Sequence, residues 1–423
     1  MIYVPFVFVA FSVCNPLVHA FDDAKLTVLD GKYIRLETDL PPSEDLQQYV
    51  QSFDQAVPLW VEYWNRDAAS VSGWRVTAYL MSSKEAFLRR GLIPDSLPDF
   101  LHGYQSGDKL WIVNQASGFY TLHLLLHEGA HSIAHRFFGG AGPPWYMEGT
   151  AEFMATHEAG EAGIRIGVIP ASREASPYWG RIGLIAARRS DSKIPSIETV
   201  MRYGDTAHRD VEPYAWSWAA AVLMEMYPEY RKLFHDAAPQ GRDTSPQFTR
   251  NLFQSLRPQW PVLSARWQLL CEDLDYGFDR EANRVTLSLL SNFGPEPQAM
   301  SLASNRGWQS APGMIRAGQS IRVKSEGRFQ LKADPAWVSE ADGVTITYER
   351  GRPLGQLLAC VVPHVSPTTP SLPKLNVLAI GSENTVNASV DGWLLFRVNE
   401  NPRDIADNQG TLHLTLTDLG TQQ

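Results

Sequence analysis

The chain has 423 residues, which is more than one ordinary domain holds and enough to bury more than one hydrophobic core. Hydrophobic residues make up 44% of it and charged residues 20%, a composition typical of a globular protein and not of a disordered one. The formal net charge is -9 and the basic residues are scattered along the chain, which argues against a nucleic acid as partner.

The N-terminal segment carries no Asp, Glu, Lys or Arg in residues 1–20, is apolar over residues 2–13, and ends in Val18-His19-Ala20. This pattern is typical of a signal peptide cleaved before Phe21, and it predicts an exported, periplasmic or extracellular protein without stable membrane insertion after cleavage. The alternative is an N-terminal membrane anchor, but the apolar run is shorter than the roughly 20 residues that a spanning helix needs.

The first part of the chain mixes strand and helix patterns. Two short alternating stretches, 25–29 and 33–37, predict a β-hairpin. Apolar residues at three- and four-residue intervals predict a helix over 45–64, and further strands are expected at 74–81 and 107–113. This region is therefore expected to be α+β.

A mainly helical region is predicted next. Residues 120–138 are apolar, carry histidines at four-residue intervals, and end at Gly139-Gly140 as a helix should. Helices are also predicted over 147–157, 214–226 and 262–274. After residue 292 Gly, Pro and Ser become frequent, and short alternating segments predict strands at 321–323, 329–331, 344–348, 393–398 and 411–416.

The helix over 120–138 contains His127-Glu128-Gly129-Ala130-His131. Side chains four residues apart lie on one face of a helix, so both imidazoles can bind one metal ion while Glu128 lies at its edge as a general base. His123 and His135 extend the same face, and the pairs His123 with His127 or His131 with His135 are also conceivable. Only the central pair encloses a glutamate at the position of a base.

A catalytic zinc ion needs a third protein ligand and one open position. Glu148 and Glu152 stand four residues apart at the start of the next predicted helix. Glu148 is the candidate third ligand, and Glu152 is the candidate acceptor for the second ring N–H of a ligand histidine. The alternative is that both carboxylates only stabilise the N-terminus of their helix.

The motif His-Glu-x-x-His followed by Glu-Gly-x-Ala-Glu resembles that of the gluzincins, a clan of zinc peptidases, over roughly residues 25–290. The resemblance implies a sheet edge beside the active-site helix, for which 107–113 is the expected strand. It also implies a tyrosine that stabilises the oxyanion, and Tyr214 is the candidate, although it could equally be a packing aromatic. The Gly-x-Met-Glu-Asn strand of the aminopeptidases is absent before His127, so their specificity is not expected.

The segment 399–410 is rich in oxygen-bearing side chains, which Ca²⁺ prefers. Together with 355–358 and 392–394 it resembles the calcium-dependent galactose-binding lectins of the PA-IL type. The resemblance implies calcium ligands at Glu400, Asp404, Asp407 and Asn408, although Glu400 and Asp407 are not the residue types usual there. The alternative is an ordinary Asx-rich turn in a β-sandwich without affinity for sugar.

The predicted fold class is α+β: a zincin-like metallopeptidase domain with a helical C-terminal part, followed by an all-β, galactose-binding-like sandwich. The predicted boundaries are a signal peptide at 1–20, a peptidase domain at 21–292 that is mostly sheet to 118 and mostly helical from 119, a linker at 293–309, and the sandwich at 310–423.

The predicted function is that of a zinc metallopeptidase with a peptide or protein substrate, in which zinc and Glu128 activate water, and with a C-terminal module for calcium and a glycan. One alternative is a catalytically inactive peptidase scaffold that binds carbohydrate. Another is a zinc hydrolase that cleaves a bond other than a peptide bond.

Overall fold

The computed structural model describes residues 26–160, 163–204, 210–287, 293–332, 334–364 and 370–421. The predicted signal peptide at 1–20 lies outside these ranges. Within them, none of the helices combines the length and the hydrophobicity that a membrane span requires. Cys271 and Cys360 are both buried and free.

The N-terminal sheet is built from β1 (Thr27–Asp30), β2 (Ile34–Thr38), β3 (Val76–Met81), β4 (Gly103–Ser106) and β5 (Lys109–Val113), in the order β1-β2-β3-β5-β4. β1 and β2 form the predicted hairpin. β2, β3 and β5 are parallel, and β4 returns antiparallel to β5. The prediction that the strand at 107–113 forms the edge of the sheet is wrong. β5 pairs on both sides, and β4 is the edge among the described strands.

The sheet packs against helices α1 (Glu44–Tyr63) and α3 (Gly118–Phe138), and α2 (Lys84–Arg89) follows β3. α3 begins where the Ser117 hydroxyl accepts a hydrogen bond from the Tyr120 backbone N–H, and it ends at Gly139, whose φ of 73° is left-handed. Every residue of α3 from Thr121 to Ala134 is buried. The histidine-bearing helix is therefore a central element of the core, which explains why most residues between its histidines are apolar.

The helical region begins with α4 (Pro144–Ala155), which has Pro144 at its first position, where the missing N–H costs nothing. The paired strands β6 (His157–Gly160) and β7 (Gly163–Ile166) follow it and were not predicted. The remaining helices are α5 (Arg181–Ser190), α6 (Ile197–Met201), α7 (Val211–Met226), α8 (Pro228–Ala237), α9 (Pro246–Leu256) and α10 (Trp260–Asp273).

Two glycines of the sequence motifs allow helices to approach closely. A Cβ at Gly129 would lie 2.5 Å from the Phe53 ring, so α3 meets α1 at this glycine. A Cβ at Gly149 would lie 2.5 Å from the Ser217 carbonyl oxygen, so the backbones of α4 and α7 meet there. A methyl group at either position would force the helices apart.

The C-terminal strands form two further sheets. They are β8 (Gln298–Ala303), β9 (Gln309–Ile315), β10 (Gln319–Glu326), β11 (Phe329–Lys332), β12 (Trp337–Ser339), β13 (Asp342–Glu349), β14 (Arg352–Pro363), β15 (Val377–Ala379), β16 (Glu383–Asn387), β17 (Gly392–Val398) and β18 (Gln409–Thr421). One sheet has the order β12-β11-β18-β10-β16 with β8 beside β18, and the other has the order β13-β14-β17-β9 with β15 beside β14.

The two C-terminal sheets share one hydrophobic core, to which β10, β14, β17 and β18 all contribute. The stretch 293–309, which was expected to be a linker, contains β8, and β8 pairs with β18 along its whole length. The mixed α and β architecture agrees with the predicted class. The zincin-like and galactose-binding-like identities and the domain boundaries remain predictions.

Candidate functional site

Three of the predicted ligands converge at one point between α3 and α4. Nε2 of His127 lies 3.0 Å from Nε2 of His131 and 3.1 Å from Oε2 of Glu148. Nε2 of His131 lies 3.5 Å from the same Glu148 oxygen. All three side chains are buried, with relative exposures of 5%, 8% and 6%. Two imidazoles and one carboxylate therefore direct ligand atoms at a common centre.

This donor set fits a metal ion. Two tetrahedral zinc ligands with bonds of about 2.0–2.1 Å lie about 3.3 Å from each other, and the three distances here scatter around that value. Two facing imidazole nitrogens can share one proton at most, whereas a cation accepts both lone pairs. His127, His131 and Glu148 can thus hold a metal ion. Their chemistry does not by itself identify the metal.

Glu148 occupies a position that favours its ionised form. Burial acts to raise the pKa of this carboxyl, but hydrogen bonds from His127 and His131 outweigh burial and lower the pKa to about 2. The predicted third ligand is therefore a carboxylate, as a metal requires.

Glu128 lies beside these groups on α3 and is 7% exposed. Its Oε1 approaches the backbone of β4 so closely that a Cβ at Gly103 would lie 2.5 Å away. Burial raises the pKa of Glu128 to about 8. The predicted base thus follows the candidate ligand His127 in α3 and has its carboxylate against Gly103 of the edge strand, where a side chain in place of glycine would displace it.

Glu152 lies one turn after Glu148 on α4, on the opposite side of His127. Its Oε1 lies 3.6 Å from Nδ1 of His127, and its Oε2 lies 3.3 Å from Nε2 of His123. Within the described chain, neither of these ring nitrogens has a hydrogen-bond partner of good geometry. His123, His127 and Glu152 form a second group whose ligand atoms are close enough to hold a metal ion.

Two side chains that the sequence did not single out bind Glu152. The Arg181 guanidinium pairs with it, and the Trp179 indole N–H donates to Oε2 at 3.1 Å. Burial acts to raise the pKa of Glu152, but Arg181 outweighs it and holds the pKa well below its ordinary value. No local motif marks Trp179, which lies shortly before α5, or Arg181, which is the first residue of α5.

Tyr214 lies in the first turn of α7, facing the same site. Its ring centroid lies 6.0 Å from that of His127 and 5.3 Å from the Arg181 guanidinium carbon. Burial, followed by the nearby Glu148, raises the pKa of the phenol, so the hydroxyl remains a donor. The structure brings Tyr214 to the site, and its role there stays a prediction.

The flanking histidines of α3 differ from each other. His135 is exposed on the last turn. His123 is fully buried, and its Nδ1 donates to the Ala155 carbonyl oxygen at 3.1 Å. His135 is thus a surface residue, whereas His123 belongs to the surroundings of Glu152.

The four predicted calcium ligands are not arranged around a common centre. Glu400 and Asn408 are buried, and the Asn408 amide donates to Oε2 of Glu400 at 2.5 Å. Asp404 and Asp407 are exposed, and Asp404 pairs with Arg403. Within the described ranges, no group of potential metal ligands includes the three carboxylates. Calcium and glycan binding remain predictions.

No family model matches the chain, and no curated protein matches it either. Among solved structures, the chain is similar to the EclA N-terminal domain, a PllA-like lectin, at 12% identity and a TM-score of 0.23, over 28% of this chain and 94% of the lectin. It is also similar to the IMPa metallopeptidase in complex with T-antigen, at 12% identity and a TM-score of 0.15. That match covers 84% of this chain and 38% of the length of IMPa.

Proposed function

We propose that the protein is a zinc-dependent metallopeptidase in which His127, His131 and Glu148 hold the metal. The observation that carries the proposal is the convergence of their three ligand atoms at 3.0–3.5 Å, in a buried site next to Glu128. Two nitrogen ligands and one carboxylate leave one position of a tetrahedral ion open, which is the arrangement of a catalytic zinc and not of a structural one.

A zinc ion held by His127, His131 and Glu148 would lower the pKa of water toward neutrality and polarise a carbonyl group. The positive charge of a bound ion would favour the carboxylate form of Glu128, which would then take a proton from the attacking water and pass it to the leaving amine. The Tyr214 hydroxyl donates a hydrogen bond to the oxygen on which negative charge develops. Both side chains are close to the ligand set, which supports these roles: Glu128 follows His127 directly in α3, and the Tyr214 ring centroid lies 6.0 Å from that of His127.

The edge strand β4 favours a peptide as substrate. Gly103 at the start of β4 contacts Glu128, so a chain that extends the sheet beyond β4 passes directly beside the proposed base. Main-chain hydrogen bonds to an edge strand hold an extended peptide largely independently of its sequence. We infer that the scissile bond lies next to β4 in this manner.

The proposal is tested by metal analysis and by cleavage of an unbiased peptide mixture. We expect one zinc ion per wild-type chain, loss of most of that zinc in His131→Ala, and retention in the matched control His135→Ala, which removes the exposed histidine of the same helix. Glu128→Gln should keep zinc but lose activity by a factor on the order of a hundred or more, because it cannot take the proton.

Each result separates the alternatives. Retention of zinc in His131→Ala would contradict the ligand assignment. Zinc binding without cleavage of any peptide would favour a hydrolase for another bond or an inactive carbohydrate-binding scaffold. Full activity in Glu128→Gln would remove Glu128 as the base.

A further inference from the structure

We propose that Arg181 is a positioning residue of the metal centre. It holds the Glu152 carboxylate against the Nδ1 side of His127, and this keeps Nε2 of His127 directed at His131 and Glu148. The inference rests on the proposed function, since it gives Arg181 a part in the same site, but it concerns a residue outside the ligand set and outside both sequence motifs.

The contacts around Glu152 are those of a fixed carboxylate. Nη2 of Arg181 lies 2.9 Å from Oε1, and Nε of Arg181 lies 3.3 Å from Oε2. The Trp179 indole N–H adds a third donor at Oε2. A two-pronged guanidinium contact defines the plane of a carboxylate as well as its position. Glu152 can therefore neither rotate nor move away from His127 while Arg181 is in place.

The carboxylate in turn acts on the His127 ring through its charge. Oε1 of Glu152 lies 3.6 Å from Nδ1 of His127, which is too long for a hydrogen bond of good geometry, but its negative charge favours a proton at Nδ1 and leaves the lone pair on Nε2. Nε2 is the atom that meets His131 and Glu148. Arg181 thus acts on the metal side of the ring through Glu152, without touching the ligand atoms.

Arg181 also explains why one ion is expected and not two. His123, His127 and Glu152 satisfy the distance requirement for a second metal. The guanidinium already supplies a positive charge in contact with both Glu152 oxygens, and it is only 8% exposed, so solvent screens that charge weakly. A second cation at Glu152 would be repelled by Arg181.

The same guanidinium faces Tyr214, with 5.3 Å between the guanidinium carbon and the ring centroid. A cation over an aromatic face is attracted to it. Arg181 therefore contacts both the carboxylate behind His127 and the ring of the proposed oxyanion donor, and it lies at the junction of α4, α5 and α7.

The experiment compares Arg181→Met with a buried arginine of similar surroundings. Arg266 is also 8% exposed, pairs with Glu229 at 2.7 Å, and lies 3.8 Å from the Tyr227 ring, but it is in α10 and contacts none of the proposed site residues. Zinc affinity is measured by competition with a chelator, beside thermal unfolding and peptide cleavage. Both variants should unfold at lower temperature, because each leaves a carboxylate without its partner.

Only Arg181→Met should weaken zinc binding, by a factor of about 10–100, which is the usual effect of losing an outer contact of a ligand histidine. Adding Arg181→Met to Glu152→Gln should weaken zinc binding little further, because Arg181 acts through Glu152. If Arg181→Met does not fold, zinc affinity is measured in Arg181→Lys instead. Lysine keeps the positive charge but cannot make the two-pronged contact, so we expect a several-fold loss of zinc affinity.

Three outcomes would overturn the inference while leaving the proposed function intact: zinc affinity unchanged in the soluble Arg181 variant, an equal loss of affinity in Arg266→Met, or two tightly bound ions in the wild type. A wild type that binds no zinc would instead contradict the proposed function itself. The two failures are therefore distinguishable in one series of measurements.

Discussion

At the residue scale, the site depends on charged groups that are buried together. Glu148 and Glu152 flank His127 on opposite sides, and each carboxylate is held in its ionised form by partners, by the two histidines in one case and by Arg181 in the other. A buried carboxylate without partners would be neutral or strongly destabilising. Burial also disfavours the charged form of a histidine outside the ligand set. The free energy of unfolding then depends on pH, because the unfolded chain can bind a proton that the folded chain does not.

His157, directly after α4, is such a histidine. It is 4% exposed, its ring stacks on Phe119 at 4.5 Å, and Nδ1 donates to the Ala155 carbonyl oxygen. Burial lowers its pKa from 6.5 to about 4. The unfolded chain therefore binds a proton below about pH 6.5 that the folded chain does not, so the free energy of unfolding falls as the pH decreases from there toward 4.

His157→Phe, which keeps a ring against Phe119, should remove this part of the pH dependence. We expect the wild type to lose about 2 kcal/mol more than the variant between pH 7 and pH 5, measured by denaturant unfolding at both pH values. Parallel pH profiles of the wild type and the variant would show that the pKa of His157 is not lowered by folding.

At the element scale, the position of α7 against α4 brings Tyr214 to the ligand set. The crossing is close because Gly149 has no side chain, and this is a physical reason for the glycine in Glu-Gly-x-Ala-Glu. Gly129 has the equivalent role between α3 and α1. These glycines belong to the sequence motifs, yet they act through helix packing and not through chemistry.

Gly149→Ala should lower the free energy of unfolding by about 1–3 kcal/mol and also reduce peptide cleavage, because the new methyl group meets the Ser217 carbonyl oxygen and displaces α7. Gly183→Ala is the matched control: Gly183 is an exposed glycine of α5 with open space around its Cβ position, so alanine there should be neutral or slightly stabilising. Thermal unfolding of both variants is the measurement, and a Gly149→Ala protein as stable as Gly183→Ala would contradict the packing argument.

Prediction from sequence succeeded where local pattern determines structure. The spacing within α3 and the paired glutamates of α4 placed His127, His131 and Glu148 together. It failed for β4, whose four residues carry no strand pattern. The segment of β5 was expected at the sheet edge because it directly precedes α3, but β5 pairs on both sides. Arg181 was missed for a related reason: its burial and its partner Glu152 arise from long-range packing, which one sequence does not reveal.

At the scale of the whole molecule, the helical region and the C-terminal sheets are in direct contact. Side chains of α10 pack with those of β14 and β17 in one apolar cluster. Beside it, the buried Asp273 at the end of α10 pairs with Arg397 of β17 at 2.8 Å and with Arg350 at 3.0 Å, and it accepts a hydrogen bond from the Trp308 indole. Backbone bonds from Ser196 and Leu372 add a second junction.

Asp273→Asn should therefore destabilise the molecule as a whole. It leaves the buried Arg397 without a charged partner, which typically costs about 3–5 kcal/mol. Asp236→Asn removes the exposed partner of Lys232 and should change the unfolding temperature little. Scanning calorimetry compares the two variants, and equal unfolding temperatures would mean that Asp273 does not stabilise this contact.

The most direct test of the proposed metal centre is anomalous X-ray diffraction from crystals of the purified protein at the zinc edge. We expect one peak, about 2.0–2.2 Å from Nε2 of His127, Nε2 of His131 and an oxygen of Glu148. Either the absence of a peak there or a peak among His123, Nδ1 of His127 and Glu152 would contradict the proposed ligand set.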